Sequence, residues 1–286
     1  MRIIQDQSFD KERELYGIRE TLVKHCVFDG PADGESALKE CDQVQVEDCF
    51  FDLRYSLWHD RGLVLKNCEL TENCRAALWY DSDVSVIDSR LHGIKAFREC
   101  QNVSLKGCDI ISDEFGWFTD NLSIEDCTAE SKYFLMKNKH VRANKLEMSA
   151  KYSLQYIEDG RFEDCVIDSK DAFWHAKNVT IKNCILGGEY LAWYSEGLTF
   201  ENCKIIGTQP FCYCKDLTLI NCEMVDCDLA FERSSVNASI TTPVVSIKNP
   251  LSGSRIEVPA VGEIIRDIDG ADGEIIICSQ ADSLSA

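Results

Sequence analysis

The chain has 286 residues, 45% of them hydrophobic and 28% charged, which is a globular balance. Lys and Arg number 30 against 49 Asp and Glu, a formal charge of -19, so phosphate backbones and anionic bilayers are repelled and neither nucleic acid nor membrane is an expected partner. The opening stretch MRIIQDQSFDKERELYG has no apolar signal core and no apolar run reaches bilayer length. The expected compartment is therefore the cytoplasm, with the sixteen cysteines as reduced, buried thiols.

In chain order, residues 1–20 carry FDKERELYG, a charged, helix-compatible stretch that reads as an N-terminal cap. Val23 and Cys26 follow as a degenerate coil. From residue 44 one pattern recurs: VQVEDC, LVLKNC, VSVIDS, VSLKGC, LSIEDC, VRANKL, GRFEDC, VTIKNC, LTFENC and LTLINC. Successive starts are 19 residues apart, with one step of 21 from Leu63 to Val84. After Ser235 the period shortens, and NASI, VVSIKNP, SRIEV, EIIRD and EIIIC predict strands with tighter turns. The expected organisation is a cap over 1–20, a parallel β-helix over 21–235, shorter β coils closing it over 236–278 and a flexible tail over 279–286.

Each unit has a chemical logic. Positions one and three are apolar (Val103 and Leu105, Val179 and Ile181) with Ser or Thr between them, the alternation of a strand with one buried face. Position five is Asp48, Asn67, Gly107, Asn183 or a similar residue, types that tolerate a left-handed backbone and make corners. Cys68 and Leu70, or Cys203 and Ile205, open a second buried strand, and SLWHD, ALWYD, AFWHA and LAWYS form a third. A second corner holds Gly62, Asp83, Asn102, Asn178 or Gly197. The fold class is all-β, a single-stranded right-handed parallel β-helix with about 19 residues and three strands per coil. Equivalent residues then form ladders, and Cys49, Cys68, Cys108, Cys127, Cys165, Cys184, Cys203 and Cys222 make one, broken at Ser89 and Leu146. Parallel Cβ vectors favour packed thiols over disulfides.

All five tryptophans, Trp58, Trp79, Trp117, Trp174 and Trp193, fall in one column, with Arg98, Met136, Gln155, Cys212 and Phe231 in its other places. The column before it is also apolar: Leu57, Leu78, Phe97, Leu135, Leu154 and Phe173. Neighbours on a strand face opposite ways, so one of these stripes lies outside the coil and should meet a ligand, a partner chain or a covering loop. Aromatic platforms beside carboxylates suit a sugar groove, with Trp58, Trp79, Trp117, Tyr156, Trp174, His175, Trp193 and Tyr194 as the binding rings. His59, Asp60, Asp81 and Glu99 come from three successive coils, and as a cluster they supply a candidate acid and base. His175 with Glu158 and Glu196 is a second such group. No cofactor or metal is expected: Cys212, Cys214, Cys222 and Cys227 match no usual zinc spacing, and DIDGADGE (267–274) lacks the full calcium-loop pattern.

At DAFWHAKNVTIKNC, EYLAWYSEGLTFENC, DLAFERSS and SIKNPLSG the sequence resembles a bacterial family of right-handed β-helix proteins classed as a domain of unknown function. The resemblance covers nearly the whole chain and implies the β-helix fold and a cytoplasmic setting, with no catalytic residues to carry over. More distantly the chain is similar to pectate lyases and polygalacturonases, without their Gly-Asp-Asp, Arg-Ile-Lys or Trp-Ile-Asp-His motifs. Three functions follow as expectations. The first is binding of a carbohydrate, a small molecule or a partner at the aromatic stripe. The second is carbohydrate hydrolysis or lyase chemistry on the same face, and the third is a homo-oligomer that buries the stripe.

Overall fold

The computed structural model describes residues 1–30 and 37–278; the expected tail at 279–286 lies outside the described residues. Two compact units divide the chain, Met1–Ala150 and Lys151–Ala286. In each, every regular element among the described residues is a strand, and the fold is a right-handed parallel β-helix.

In the first unit Arg2–Gln5, Arg19–Lys24, Asp42–Glu47, Val64–Lys66, Ser82–Ile87 and Gln101–Lys106 pair parallel in one sheet. Ser8–Phe9, Val27–Phe28, Phe50–Phe51, Glu69–Leu70, Arg90–Leu91 and Asp109–Ile111 pair in a second run, and Leu57–Trp58, Leu78–Trp79 and Phe97–Arg98 make the third face. The register keeps like over like: Val84 lies opposite Val103 and Val103 opposite Leu122. The second unit repeats this, with Gly160 opposite Val179, Thr180 opposite Thr199 and Thr199 opposite Thr218.

The corners use the expected residues. Asp48, Asn67, Asp88, Asn183 and Asn202 have φ of 48 to 53°. Their side chains bond from coil to coil, as when Asn67 Nδ2 donates to Asp48 Oδ1 and Asn202 Nδ2 to Asn183 Oδ1. The interior is apolar and layered. Phe9, Phe28 and Phe51 stack in the first unit, the latter pair with ring centroids 4.5 Å apart, and Phe200, Phe211 and Phe231 pack in the second.

One expectation about the ends needs correction: the helical character of the N-terminal stretch. Residues 11–17 make turns, not a helix, and Arg2–Gln5 and Ser8–Phe9 pair parallel with the following coil, so the N-terminal stretch is itself a coil. Charge alone made it look helical, but Ile4 and Phe9 are the residues that find buried partners. Beyond Ser235 the coil step falls to 18 residues from Asn237 to Arg255 and 17 from Val244 to Val261, and returns to 19 from Arg255 to Glu274. Leu217 pairs with Val236, Asn237 with Arg255 and Arg255 with Glu274, while Val244–Lys248 and Val261–Ile265 pair in a separate sheet. The closely spaced strand motifs are two strands of each coil.

The thiols are buried and unbridged. All sixteen cysteines are free, and only Cys278 is partly exposed. Backbone N–H groups donate to the thiol one coil on, Cys108 to Cys127 and Cys165 to Cys184. The thiols in turn donate to carbonyls, Cys49 to Glu47 O at 3.1 Å. Ser89 does the work of a thiol in its place, accepting from Cys68 N–H and donating to Ile87 O. Burial pushes Cys49 up to about 12 and Cys68 to about 11. Since every thiol but Cys278 is buried away from the reagent, iodoacetamide at pH 7.5 should add at most one label to the folded protein, at Cys278, and sixteen in denaturant. Mass spectrometry checks this, and several labels on the native chain would contradict the packed arrangement.

Candidate ligand-binding face

From Leu57 to Asp60 the side chains point in, out, out and in: Leu57 is fully buried, Trp58 half-buried, His59 exposed and Asp60 buried. A strand would alternate strictly. The break comes from His59, whose φ of 59° is left-handed and turns the chain by one extra step. Tyr80, Glu99, Phe118, Tyr156, His175 and Tyr194 repeat it, with φ between 53 and 64°. The tryptophans and Arg98 therefore face outward and the column before them faces the core, whereas Gln155, Cys212 and Phe231, which the 19-residue period puts in the same column, are buried, so not every coil shows two adjacent side chains to solvent.

In the first unit the outer column is a ladder of rings and cations. The Lys39 ammonium lies 5.5 Å from the Trp58 ring centroid. Trp58 and Trp79 are parallel within 1° at 5.4 Å. The Arg98 guanidinium follows at 5.2 Å from Trp79 and 5.5 Å from Trp117. Beside it His59 stacks on Tyr80 at 4.9 Å, with the Tyr80 ring perpendicular to both indoles. The indole N–H groups of Trp58, Trp79 and Trp117 donate to the carbonyls of Ala76, Lys95 and Tyr133. A cleft of about 340 Å³ opens over Trp58 and Trp79, edged by Lys39, Tyr55, Arg75 and Lys95. Lys39 was not among the residues expected here, although stepping back 19 positions from Trp58 would have found it.

In the second unit Tyr156, His175, Tyr194 and Tyr213 stack face to face at 5.0, 5.1 and 4.8 Å. Trp174 is nearly parallel to His175, and its buried indole N–H has no partner among the described residues, whereas Trp193 donates to Gln209 O. Burial first, and Lys177 second, hold the His175 pKa below the usual imidazole value. Glu158 and Glu196 do not join His175; they lie opposite Lys177 on the neighbouring coils, two positions along the chain.

The carboxylates expected beside the first-unit rings are divided by the same left-handed step. His59 and Glu99 are outside, Glu99 paired with Arg98 at 3.4 Å. Asp60 and Asp81 are inside, 2% and 1% exposed. Asp60 Oδ1 accepts the Cys41 N–H and Asp81 Oδ1 the Asp60 N–H, both at 2.8 Å, and each Oδ2 is buried without a hydrogen bond. Burial raises the pKa of both well above the carboxylate range, and the charge of Asp60 raises Asp81 further. Neither carboxyl can reach a glycosidic oxygen on the outer face, so the expected acid and base pair is not assembled there.

The motifs read as weak metal signals have other partners. Cys212, Cys214, Cys222 and Cys227 donate to the carbonyls of Gln209, Ala192, Phe200 and Ile205. Asp267 accepts from Asn249 and Asp272 from Ser252, one coil earlier. Among the described residues no three His, Cys, Asp or Glu side chains are grouped to hold a metal ion.

A family described as "Protein of unknown function (DUF3737)" matches residues 2–277. The chain belongs to that family. No curated protein matches the chain. Among solved structures, the surface adhesin PfbA of Streptococcus pneumoniae is 8% identical, with 89% of this chain and 73% of that one covered at a TM-score of 0.43. Tailspike protein 3 of bacteriophage CBA120 is 10% identical over 97% of this chain and 51% of its own, at 0.41. The catalytic domain of a GH87 alpha-1,3-glucanase is 9% identical over 96% of this chain and 64% of its own, at 0.40. The chain thus spans about half of the tailspike and under two thirds of the glucanase domain.

Proposed function

We propose that this member of the family is a non-catalytic binding protein that holds a carbohydrate along its outward aromatic columns. The observation that carries the reading is a row of rings left exposed at a left-handed position. Several corners give that conformation to Asp, Asn or Gly, which adopt it readily, but His25, Gln43, His140 and Lys145 adopt it too, and so do the buried Leu135, Leu154, Phe173 and Phe211. On the aromatic face it is given to His59, Tyr80, Phe118, Tyr156, His175 and Tyr194, at roughly 1–2 kcal/mol each. Stacking between coils offsets that, at about 0.5–1.5 kcal/mol per pair. It does not account for the rings staying wet: Tyr80, Phe118, Tyr156 and Tyr194 are 39 to 44% exposed. A row of exposed ring edges and phenol groups suits a ligand that is apolar on its C–H faces and rich in hydroxyls.

Burial of Asp60 and Asp81 weighs against hydrolase or lyase chemistry at this face. The sixteen unbridged thiols suit a reducing compartment, which supports our proposal of a cytoplasmic setting. The test is a glycan panel followed by tryptophan fluorescence, with mass spectrometry of the recovered glycans and sedimentation of the free protein. One glycan class should change the emission and be recovered intact, and Tyr194→Ala should weaken binding about tenfold with the fold unchanged. A dimer that masks Tyr80 and Tyr194 from solvent, or cleaved products, would overturn the reading.

A further inference from the structure

We propose that the cleft over Trp58 and Trp79 selects an anionic sugar, one whose carboxylate or phosphate oxygens are bound by Lys39, Arg75 and Lys95. This rests on the reading of the aromatic face as a carbohydrate site and names the ligand's charge.

Trp58 lies between Lys39 and Trp79, and Trp79 between Trp58 and Arg98, so neither indole presents an open face on which a neutral sugar would lie flat. Their N–H groups are already given to the Ala76 and Lys95 carbonyls. The polar groups left at the rim, apart from the Tyr55 hydroxyl, are two ammonium groups and a guanidinium, which donate hydrogen bonds and accept none. A ligand that satisfies them must be rich in acceptors. Lys95 is shared with Glu114 at 3.2 Å. Among the described residues Arg75, which is exposed, makes no ion pair, and Lys39 is committed only to the Trp58 ring.

The cluster runs against the character of the chain. The protein carries a formal charge of -19, yet three cations edge this cleft. At physiological ionic strength the distant acidic groups are screened beyond about 8 Å, so an anion at the cleft answers to the nearby cations. Paired with a guanidinium, carboxylate and phosphate oxygens form the stronger, charge-assisted class of hydrogen bond. A volume of about 340 Å³ is at the small end of ligand clefts and suits a single sugar unit.

The experiment compares glucose, glucuronate, glucose 6-phosphate and inorganic phosphate on the full-length protein. Binding is read from the indole N–H signals of Trp58 and Trp79, assigned with Trp58→Phe and Trp79→Phe. Glucuronate or glucose 6-phosphate should shift those two signals and bind at least tenfold tighter than glucose, the pair of acids reporting which anion is preferred. Arg75→Gln and Lys39→Gln, both at accessible side chains, should each weaken the charged ligand several-fold and so narrow its margin over glucose. If glucose binds as tightly as the acids, or the charge variants change nothing, the anionic assignment fails while the aromatic reading stands. Inorganic phosphate binding as tightly as glucose 6-phosphate would overturn the assignment to a sugar. Were no ligand to move any indole in the wild type, the reading of the face itself would fall with it.

Discussion

Asp81→Asn should make the protein more stable at pH 8 and remove much of its loss of stability above pH 4. Asp60 and Asp81 are stacked one coil apart inside the β-helix, each with one oxygen bonded and one bare. Burial raises both pKa values above the ordinary 3.8, and their mutual repulsion raises Asp81 further. A carboxyl whose folded pKa exceeds its unfolded one favours the folded state below the unfolded value, and that contribution is lost as pH rises through the folded value. The wild type therefore weakens from about pH 4 upward through the range in which the pair ionises. Asparagine keeps an oxygen for the Asp60 N–H and removes one buried negative charge. The gain at pH 8 should be on the order of 1–3 kcal/mol, the cost of an unsatisfied buried polar group. Urea titrations of both proteins from pH 4 to 9 give the difference directly, with titrating groups remote from the pair cancelling. A variant less stable than wild type at pH 8, or a difference that does not change with pH, would show that the pair is not ionised inside.

Phe51→Ala should cost about 3–5 kcal/mol. Phe51 is fully buried and stacked on Phe28 at 4.5 Å and 5° between planes, and Phe28 stacks in turn on Phe9. In a helix-packed core the neighbours could move in to fill the space. Here they cannot, because the backbone bonds of Phe50–Phe51 to Val27–Phe28 on one side and Glu69–Leu70 on the other hold the coils one strand spacing apart. The cavity stays open and its full cost is felt. Guanidinium unfolding followed by circular dichroism measures it; a loss below about 1 kcal/mol would mean that the coils can close on one another after all.

The contrast between these two residues also explains what could be read in the sequence. Phe51 and its equivalents announce themselves, since an apolar residue recurring at the coil period has nowhere to go but the core. The corners at Asn67, Asn183 and Asn202 were equally legible, because left-handed backbone has a residue preference and those positions obey it. Asp81 was misplaced for the opposite reason. The left-handed residue before it is Tyr80, and His59 precedes Asp60; neither type signals such a turn, so plain strand alternation was assumed and the carboxylates were put on the wrong side. The two neighbouring apolar columns held the clue, since both sets of side chains had to be accommodated at one bend. At the C-terminal end, Asn237, Arg255 and Glu274 are partners across coils, but their motifs are interleaved with those of Val244 and Val261, which disguises the period. As for the site, the rings were identifiable and their outward direction was one of two alternatives. The cations were not, since Lys39, Arg75 and Lys95 lie in three different columns and share no motif.

The extra backbone step at His59, Tyr80 and their counterparts separates two jobs that a plain strand must share. Inward residues on either side answer to packing, while the outward pair between them answers to nothing in the interior. Such a scaffold can be rewritten on its exterior, two letters per turn, without renegotiating its folding. Relatives built on the same winding are then free to diverge in what they hold while remaining alike in how they stand.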